Sequence, residues 1–437
     1  MKVYVSGSPE HILRACTHVA AASGARPLLP EERAQFVALQ SEASTHGRAL
    51  IAVAYRRIEG INIPPDVVQG PPALKDLVFG GILVLSDTIR PDVKQEIRTA
   101  QEAGVRVVMV TGDHAETARA VAIETGIATE DDDVITGAEL AEMSMPEIAA
   151  VVLREHIFAR VPPDQKLRIV QALTKSGEVV AMTGDGVNDA PALNAADVGV
   201  ALGSGTDVAK EAADIILLNN TFSTITAAIR EGRRVVVNLG KVVTYLLSTG
   251  VSKVLIVVGA LVAGVPLPLL PTQLLWTNLI HEGFMSAPFA FEPAGKDVMR
   301  TRPRGIDEQV LAPNLMRLIV LVSIMGAALF LSFYVYLYMR ETEIEHLRTL
   351  VFAALSISAL AMSVSFKDMD RPVWQTPILS NPSLLYALLG SITMLVLTLA
   401  LPFTRSLLSL TTLGLRDIAM LIVFAVANIF VVEVVKR

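Results

Sequence analysis

Met182-Thr-Gly-Asp-Gly-Val-Asn-Asp-Ala-Pro-Ala-Leu193 is an apolar run that passes directly into a loop holding two carboxylates and an amide. Carboxylates at a strand end suit Mg2+, a hard cation that takes few protein oxygens and shares phosphate oxygens with its substrate. Asp185 is the first candidate ligand and Asp189 the second. Asn188 and Asp189 would also position a phosphoryl group or support the metal's ligands through hydrogen bonds. Asp-Gly and Asn-Asp are ordinary turn dipeptides when met singly. A run of twelve residues of this kind argues instead for a dedicated site.

Working outward, short apolar runs alternate with amphipathic helices from Asp76 onward: Gly81–Leu85, Arg90–Ala103, Val105–Val110, His114–Thr125, Lys166–Thr174, Val179–Met182 and Val198–Leu202. This alternation predicts an α/β domain with a doubly wound parallel sheet, which binds ligands at the carboxyl ends of its strands. Upstream, a strand at Lys2–Ser6, a helix after Pro9, a helix at Glu31–Thr45 and a strand at Leu50–Tyr55 read as the tail of a mixed α/β unit. Asn62–Pro65 and Gly70–Pro72 break that pattern as a loop would, which sets a boundary near residue 75.

The 437 residues are 52% hydrophobic, and the surplus lies in the second half. Six apolar stretches of about 20 residues predict an all-α membrane domain of six transmembrane helices: Val242–Val265, Leu267–Ala290, Leu315–Tyr338, Leu347–Ser365, Leu384–Leu401 and Ile418–Val434. The predicted domains are thus 1–75, 76–235 and 236–437. If the first span enters from the cytosol, the loops after the second and fourth are cytosolic. They carry Lys296, Arg300, Arg302, Arg304, Lys367 and Arg371, as the positive-inside rule requires. Arg405 and Arg416 in the last outer loop weaken the contrast. The opening residues lack the apolar core of a cleavable signal. The expectation is a multi-pass integral membrane protein contacting lipid, in the cell membrane, with a cytosolic N-terminal region. One cysteine, Cys16, permits no internal disulfide and reads as a small buried hydrophobe. The net charge of −6, without a basic patch, sets nucleic acid aside as a partner.

The 182–193 run resembles the P-type cation-transporting ATPases, which belong to the haloacid dehalogenase superfamily. Three more segments match that family in the same order. Asp87-Thr-Ile-Arg-Pro91 is similar to its Asp-Pro-Pro-Arg segment, Thr111-Gly-Asp-His114 to its Thr-Gly-Asp motif, and Phe158–Lys166 to the segment with its active-site lysine. The resemblance implies ATP and Mg2+ as cofactors. It gives Thr111, Gly112 and Asp113 a place at the phosphoryl oxygens, with Lys166 neutralising their charge. Asp87 and Arg90 fall on nucleotide-contacting positions. Ser6-Gly-Ser-Pro-Glu10 looks like the family's adenine-pocket loop, with Gly7 in place and Ser6 where the family has lysine. Residues 1–75 therefore resemble a remnant of the nucleotide-binding domain. Arg48 matches an arginine that contacts nucleotide phosphates. Gly203–Asp214 also matches the family, its glycines reading as turn formers.

In this family cations bind among the first two of these spans. Trp276-Thr-Asn-Leu-Ile-His-Glu-Gly283 resembles the corresponding calcium-pump segment, which places Asn278 and Glu282 on liganding positions and His281 on a third. Their spacing sets Asn278 and Glu282 on one helix face. The first span departs from the calcium pattern, because it carries Lys253. An ammonium paired with Glu282 would act as a fixed internal cation and favour a proton or one monovalent ion as cargo. The bland alternative, Lys253 reaching the cytosolic surface, fits poorly at its depth in the span.

No Asp-Lys-Thr and no Thr-Gly-Glu occurs in the sequence. The expectation is therefore a C-terminal pump half that lacks the phosphorylated aspartate, is inactive alone, and needs a separate or missing N-terminal half. Two alternatives remain open: a truncated remnant that only binds nucleotide, and a membrane-anchored phosphatase of the dehalogenase superfamily.

Overall fold

A computed structural model describes residues 2–21, 24–45, 49–57, 75–85, 89–293, 295, 298–305, 308, 311–340, 343–369 and 371–436. Arg48, Asp87, Lys296 and the expected loop segments 62–65 and 70–72 lie outside the described residues. The chain divides into two compact units. The first is Met1–Ala227 with Met299–Ile306, and the second is Ala228–Val298 with Asp307–Arg437.

The first unit opens with a five-stranded sheet of β1 (Lys2–Gly7), β2 (Cys16–Ala21), β3 (Gly24–Pro27), β4 (Ala49–Arg57) and β5 (Leu77–Leu85), in the order β1-β4-β5-β2-β3. Only the β2/β5 pairing is parallel. Helices α1 (Pro9–Ala15) and α2 (Pro30–Thr45) cover it. Its core joins Ile12, Leu13 and Cys16 to Ala52, Leu77 and Phe79. β5 therefore belongs to this sheet and not to the alternating region that follows. Strand pairing decides that membership, because β4 and β5 are antiparallel neighbours from Ala49↔Leu85 to Tyr55↔Val78, with a one-residue register shift between Val53 and Ala54.

The alternating region holds α3 (Val93–Glu102), β6 (Met109–Val110), α4 (Ala115–Thr125), β7 (Val134–Thr136), α5 (Gly137–Glu142), α6 (Met145–Val152) and β8 (Ile157–Ala159). It continues with α7 (Pro163–Lys175), β9 (Ala181–Gly184), α8 (Ala190–Ala195), β10 (Val198–Leu202), α9 (Asp207–Ala212) and β11 (Ile215–Leu217). Every strand pair here is parallel, as the alternation predicts. The strands form two three-stranded sheets, β6-β8-β7 and β11-β10-β9, in place of one continuous sheet. Within them β6 pairs only with β8 and β9 only with β10, so each presents an unpaired edge among the described residues. Local chemistry sets the helix ends. Thr136 with Glu139 and Ser144 with Glu147 form capping boxes that satisfy the first free amides of α5 and α6.

In the second unit the long helix α10 (Phe222–Val262), most of which lies there, precedes α11 (Pro271–Trp276) and α12 (Phe284–Ser286). α13 (Pro313–Tyr338), α14 (Ile344–Phe366), α15 (Pro382–Ala400), α16 (Pro402–Leu408) and α17 (Leu415–Val435) follow. Five helices among the described residues are long and apolar enough to cross a membrane, not the six expected: α10, α13, α14, α15 and α17. The expected second span, Leu267–Ala290, is helical from Pro271 to Phe291 but changes hydrogen-bonding type along its length. It runs through α11, a π-helical turn at Thr277–Gly283, α12 and a 3-10 turn at Ala287–Phe291. Prolines explain its limits, since Pro271 sets the first helical turn and Pro288 interrupts the ladder at the far end.

α14 is the central helix of this unit, with 83% of its apolar window buried against 28–44% for the other four. Phe330, Tyr334, Phe352 and Phe424 build the larger core. Tyr245, Phe289 and Phe366 build a second, in which the Tyr245 hydroxyl donates to the Ala359 carbonyl at 3.2 Å. Lys367, expected in a loop, is buried and paired with Glu292 at 2.8 Å.

Candidate functional sites

The first site lies at the carboxyl ends of β6, β8 and β9. Two backbone bonds hold the segment after β8 against the segment after β6: the Arg160 amide donates to the Asp113 carbonyl and the Val161 amide to the Thr111 carbonyl, each at 3.0 Å. Pro163 then starts α7 and brings Lys166 round its first turn. Gly112, Arg160, Pro162, Lys166 and Asn188 line one open cleft. Strand ends from both three-stranded sheets thus meet at one place, where a doubly wound fold binds its ligand.

Lys166 and Asp189 form an ion pair at this cleft. Lys166 Nζ donates to Asp189 Oδ1 at 2.7 Å, while the amides of Asp185 and Gly186 donate to Asp189 Oδ2 at 3.3 and 3.2 Å. Burial by itself would raise the Asp189 carboxyl. The Lys166 ammonium and the Gly186 and Asp185 amides more than offset it and hold the group below the usual carboxylate range. The loop can close this tightly because residue 184 is glycine, where an added Cβ would meet Asp189 Cβ at 2.5 Å.

Asp185 differs. It is exposed, and its carboxylate has no partner among the described residues, while its carbonyl accepts from the Thr206 amide at 2.9 Å. That free carboxylate fits a hard cation shared with phosphate. Asp189 is already engaged on both oxygens, so the arrangement suits it to holding Lys166 and the loop. Thr111 Oγ1 donates to Asp113 Oδ2 at 3.0 Å and accepts from the Asp113 amide at 3.1 Å.

Arg160 carries no signal of its own in the sequence motifs. It lines the cleft, has a left-handed backbone (φ 54°) and places its guanidinium 2.7 and 2.5 Å from the two ring nitrogens of His114. A non-glycine residue held at positive φ is a recognisable site feature, but it becomes visible only in the folded backbone. Gly7 and Arg90 are not brought to this cleft. Gly7 ends β1 beside Ile12, and Arg90 donates to the Asn220 carbonyl.

The second site lies among the apolar helices. Lys253 of α10 and Glu282 of the π turn pair at 2.7 Å, with side chains 7% and 9% exposed. Lys253 also donates to Asn278 Oδ1. The structure therefore joins three of the four expected ion-path residues. His281 is fully buried, yet neither ring nitrogen has a hydrogen-bond partner among the described residues.

Comparison with known proteins finds relatives along most of the chain. Residues 266–437 match the family described as cation transporting ATPase, C-terminus. Residues 14–197 and 166–229 match two families described as haloacid dehalogenase-like hydrolase. The chain is 34% identical to the calcium-transporting ATPase of Bacillus subtilis over 92% of its own length and 45% of that protein's. It is 32% identical to calcium-transporting ATPase 1 of Bacillus cereus, covering 98% of this chain and 50% of the relative. To the probable cation-transporting ATPase F of Mycobacterium tuberculosis it is 36% identical, over 87% and 42%. The chain spans about half the length of the curated relatives it matches. With dehalogenase-like and cation-ATPase C-terminal segments in this order and apolar helices long enough to span a bilayer, the chain is a membrane protein of the P-type cation-transporting ATPase family.

Proposed function

We propose that the chain supplies the C-terminal half of an ATP-driven cation pump: the charge-neutralising part of the phosphoryl site and one side of the ion path. The observation that carries this reading is the convergence of the strand ends after β6, β8 and β9 on one cleft, beside two unpaired parallel edges. A complementary segment, separate or in the same longer protein, would add a strand there and bring the aspartate nucleophile to Lys166. β6 and β9 have the free amides and carbonyls to receive it.

In that assembly Asp185 holds Mg2+, which neutralises charge on the transferring phosphoryl group. Lys166 faces the phosphoryl oxygens from α7, oriented by Asp189. Thr111 and the Gly112 backbone offer hydrogen bonds from the end of β6, and Asn188 orients the group from the opposite side. Arg160 adds a second positive charge at the rim. Gly7, Arg48, Asp87 and Arg90 are proposed as nucleotide contacts on the family resemblance alone.

In the membrane, Lys253, Asn278 and Glu282 form the ion path. A resident ammonium against the carboxylate favours a proton or one monovalent cation as cargo. The soluble unit faces the cytosol of the cell membrane on this reading, consistent with Arg300, Arg302, Arg304 and Arg371.

The test is phosphorylation from labelled ATP. The isolated chain should incorporate no acid-stable label. Co-expression with an N-terminal half ending in Asp-Lys-Thr-Gly-Thr should give a phosphoenzyme that Asp185→Ala abolishes. Label on the isolated chain, or an unaffected Asp185→Ala variant, would reject the assignment.

A further inference from the structure

Lys253 and Glu282 line a cavity among the apolar helices whose remaining wall has no assigned role. Ser358 of α14 and Asn428 of α17 line the same cavity, with Thr249 and Ser252 of α10. Ser358 and Asn428 are each 2% exposed. Ser358 Oγ and Asn428 Oδ1 are buried without a hydrogen-bond partner among the described residues.

A buried asparagine in an apolar helix ordinarily serves as glue, bonding a neighbouring helix. Asn428 Oδ1 makes no such bond. The contrast with Asn381 is direct, since its amide group donates to Glu292 Oε2 and its oxygen accepts from the Leu384 amide. Two orphaned oxygens beside an ion pair call for an occupant that donates hydrogens or carries positive charge. The cavity volume is about 20 Å3, against the roughly 10–15 Å3 that one water needs. A calcium ion would take about six to eight oxygens, and here Lys253 already occupies one face of the carboxylate.

We propose that Ser358 and Asn428 are ligands of the intramembrane site, and that with Glu282 they hold one water-sized occupant, either water or a single small monovalent cation. The inference rests on the ion-path reading of Lys253 and Glu282 and extends that site to two further helices. It makes α17 part of the ion path through Asn428.

The experiment is a density map of the full chain in lipid nanodiscs, at a resolution that resolves waters, collected in sodium, potassium and choline salts. One peak within hydrogen-bond range of both Asn428 Oδ1 and Ser358 Oγ is expected, and it should be absent in Asn428→Leu. A peak that persists in choline identifies water, and one that vanishes in choline identifies the alkali cation. No peak in any salt, an unchanged peak in Asn428→Leu, or a calcium ion bound there by six or more oxygens overturns the proposal. A second readout uses the chain assembled with its N-terminal half, where Ser358→Ala and Asn428→Leu should lower cation transport by roughly tenfold, the scale of one lost hydrogen bond to a charged group. If Glu282→Gln leaves transport intact while the peak remains, the ion-path reading fails and the occupant site stands. If Glu282→Gln stops transport while Asn428→Leu and Ser358→Ala do not, this inference alone fails.

Discussion

Lys253 Nζ and Glu282 Oε1 lie 2.7 Å apart with both side chains more than nine-tenths buried, which makes each charge dependent on the other. Deleting one partner leaves an uncompensated buried charge at a cost of about 3–5 kcal/mol, whereas replacing both with neutral groups of similar volume is often close to neutral. Lys253→Met should therefore lower the unfolding temperature of the detergent-solubilised chain markedly, and Lys253→Met with Glu282→Gln should recover most of the loss. A double-mutant cycle with no coupling would remove the pair from the account.

Asp189 links the cleft to pH. Its folded carboxyl sits below the ordinary value of 3.8, so its contribution to stability is complete above that pH and is lost as pH falls through the lower folded value. Lys166→Met removes the ammonium and leaves burial, which pushes the carboxyl up. The acid-unfolding midpoint of the first unit, followed by near-ultraviolet circular dichroism, should move to higher pH in Lys166→Met. An unmoved midpoint would show that the contact carries no linkage.

Gly184→Ala tests how the metal loop is packed. The new methyl group would meet Asp189 Cβ at 2.5 Å, inside van der Waals contact, and neither atom belongs to a flexible chain end. Overpacking of this kind costs about 1–3 kcal/mol. Denaturant unfolding should report the loss, with the Lys166–Asp189 contact broken in the variant's structure.

Cys16 should be chemically silent. It is 1% exposed, and burial pushes its thiol up to about 11 despite the opposing charge of Arg33. Only the thiolate alkylates readily. Iodoacetamide at mildly alkaline pH should leave the folded chain unlabelled and modify it fully after urea unfolding. Rapid labelling of the folded chain would place Cys16 at the surface.

The longer helices are legible because their caps and periodicity are local: Pro9, Pro30, Pro163, Pro313 and Pro382 each stand at the first helical turn, whereas the short helices Gly137–Glu142 and Met145–Val152 carry too few turns to show a period. β2 and β3 escaped notice. Cys16–Ala21 is bounded by no turn signal on its N-terminal side, and Gly24–Pro27 is exposed throughout. Arg160, Ser358 and Asn428 were equally hidden, since a backbone angle and a missing hydrogen-bond partner leave no mark on residue order.

Sequence by itself determined the family and the order of the two kinds of unit, and it marked Lys253 and Glu282 as charges inside apolar spans, because motif residues, apolar length and the scarcity of buried charge are written in composition and spacing. Only the tertiary structure decided that Lys253 meets Glu282, that β5 pairs with the first sheet, that the parallel strands fall into two sheets with unpaired edges, and that the second span turns π-helical at Thr277–Gly283. Those outcomes depend on which segments meet across the chain. Pairing energy of that kind belongs to contacts between distant residues and not to any local run.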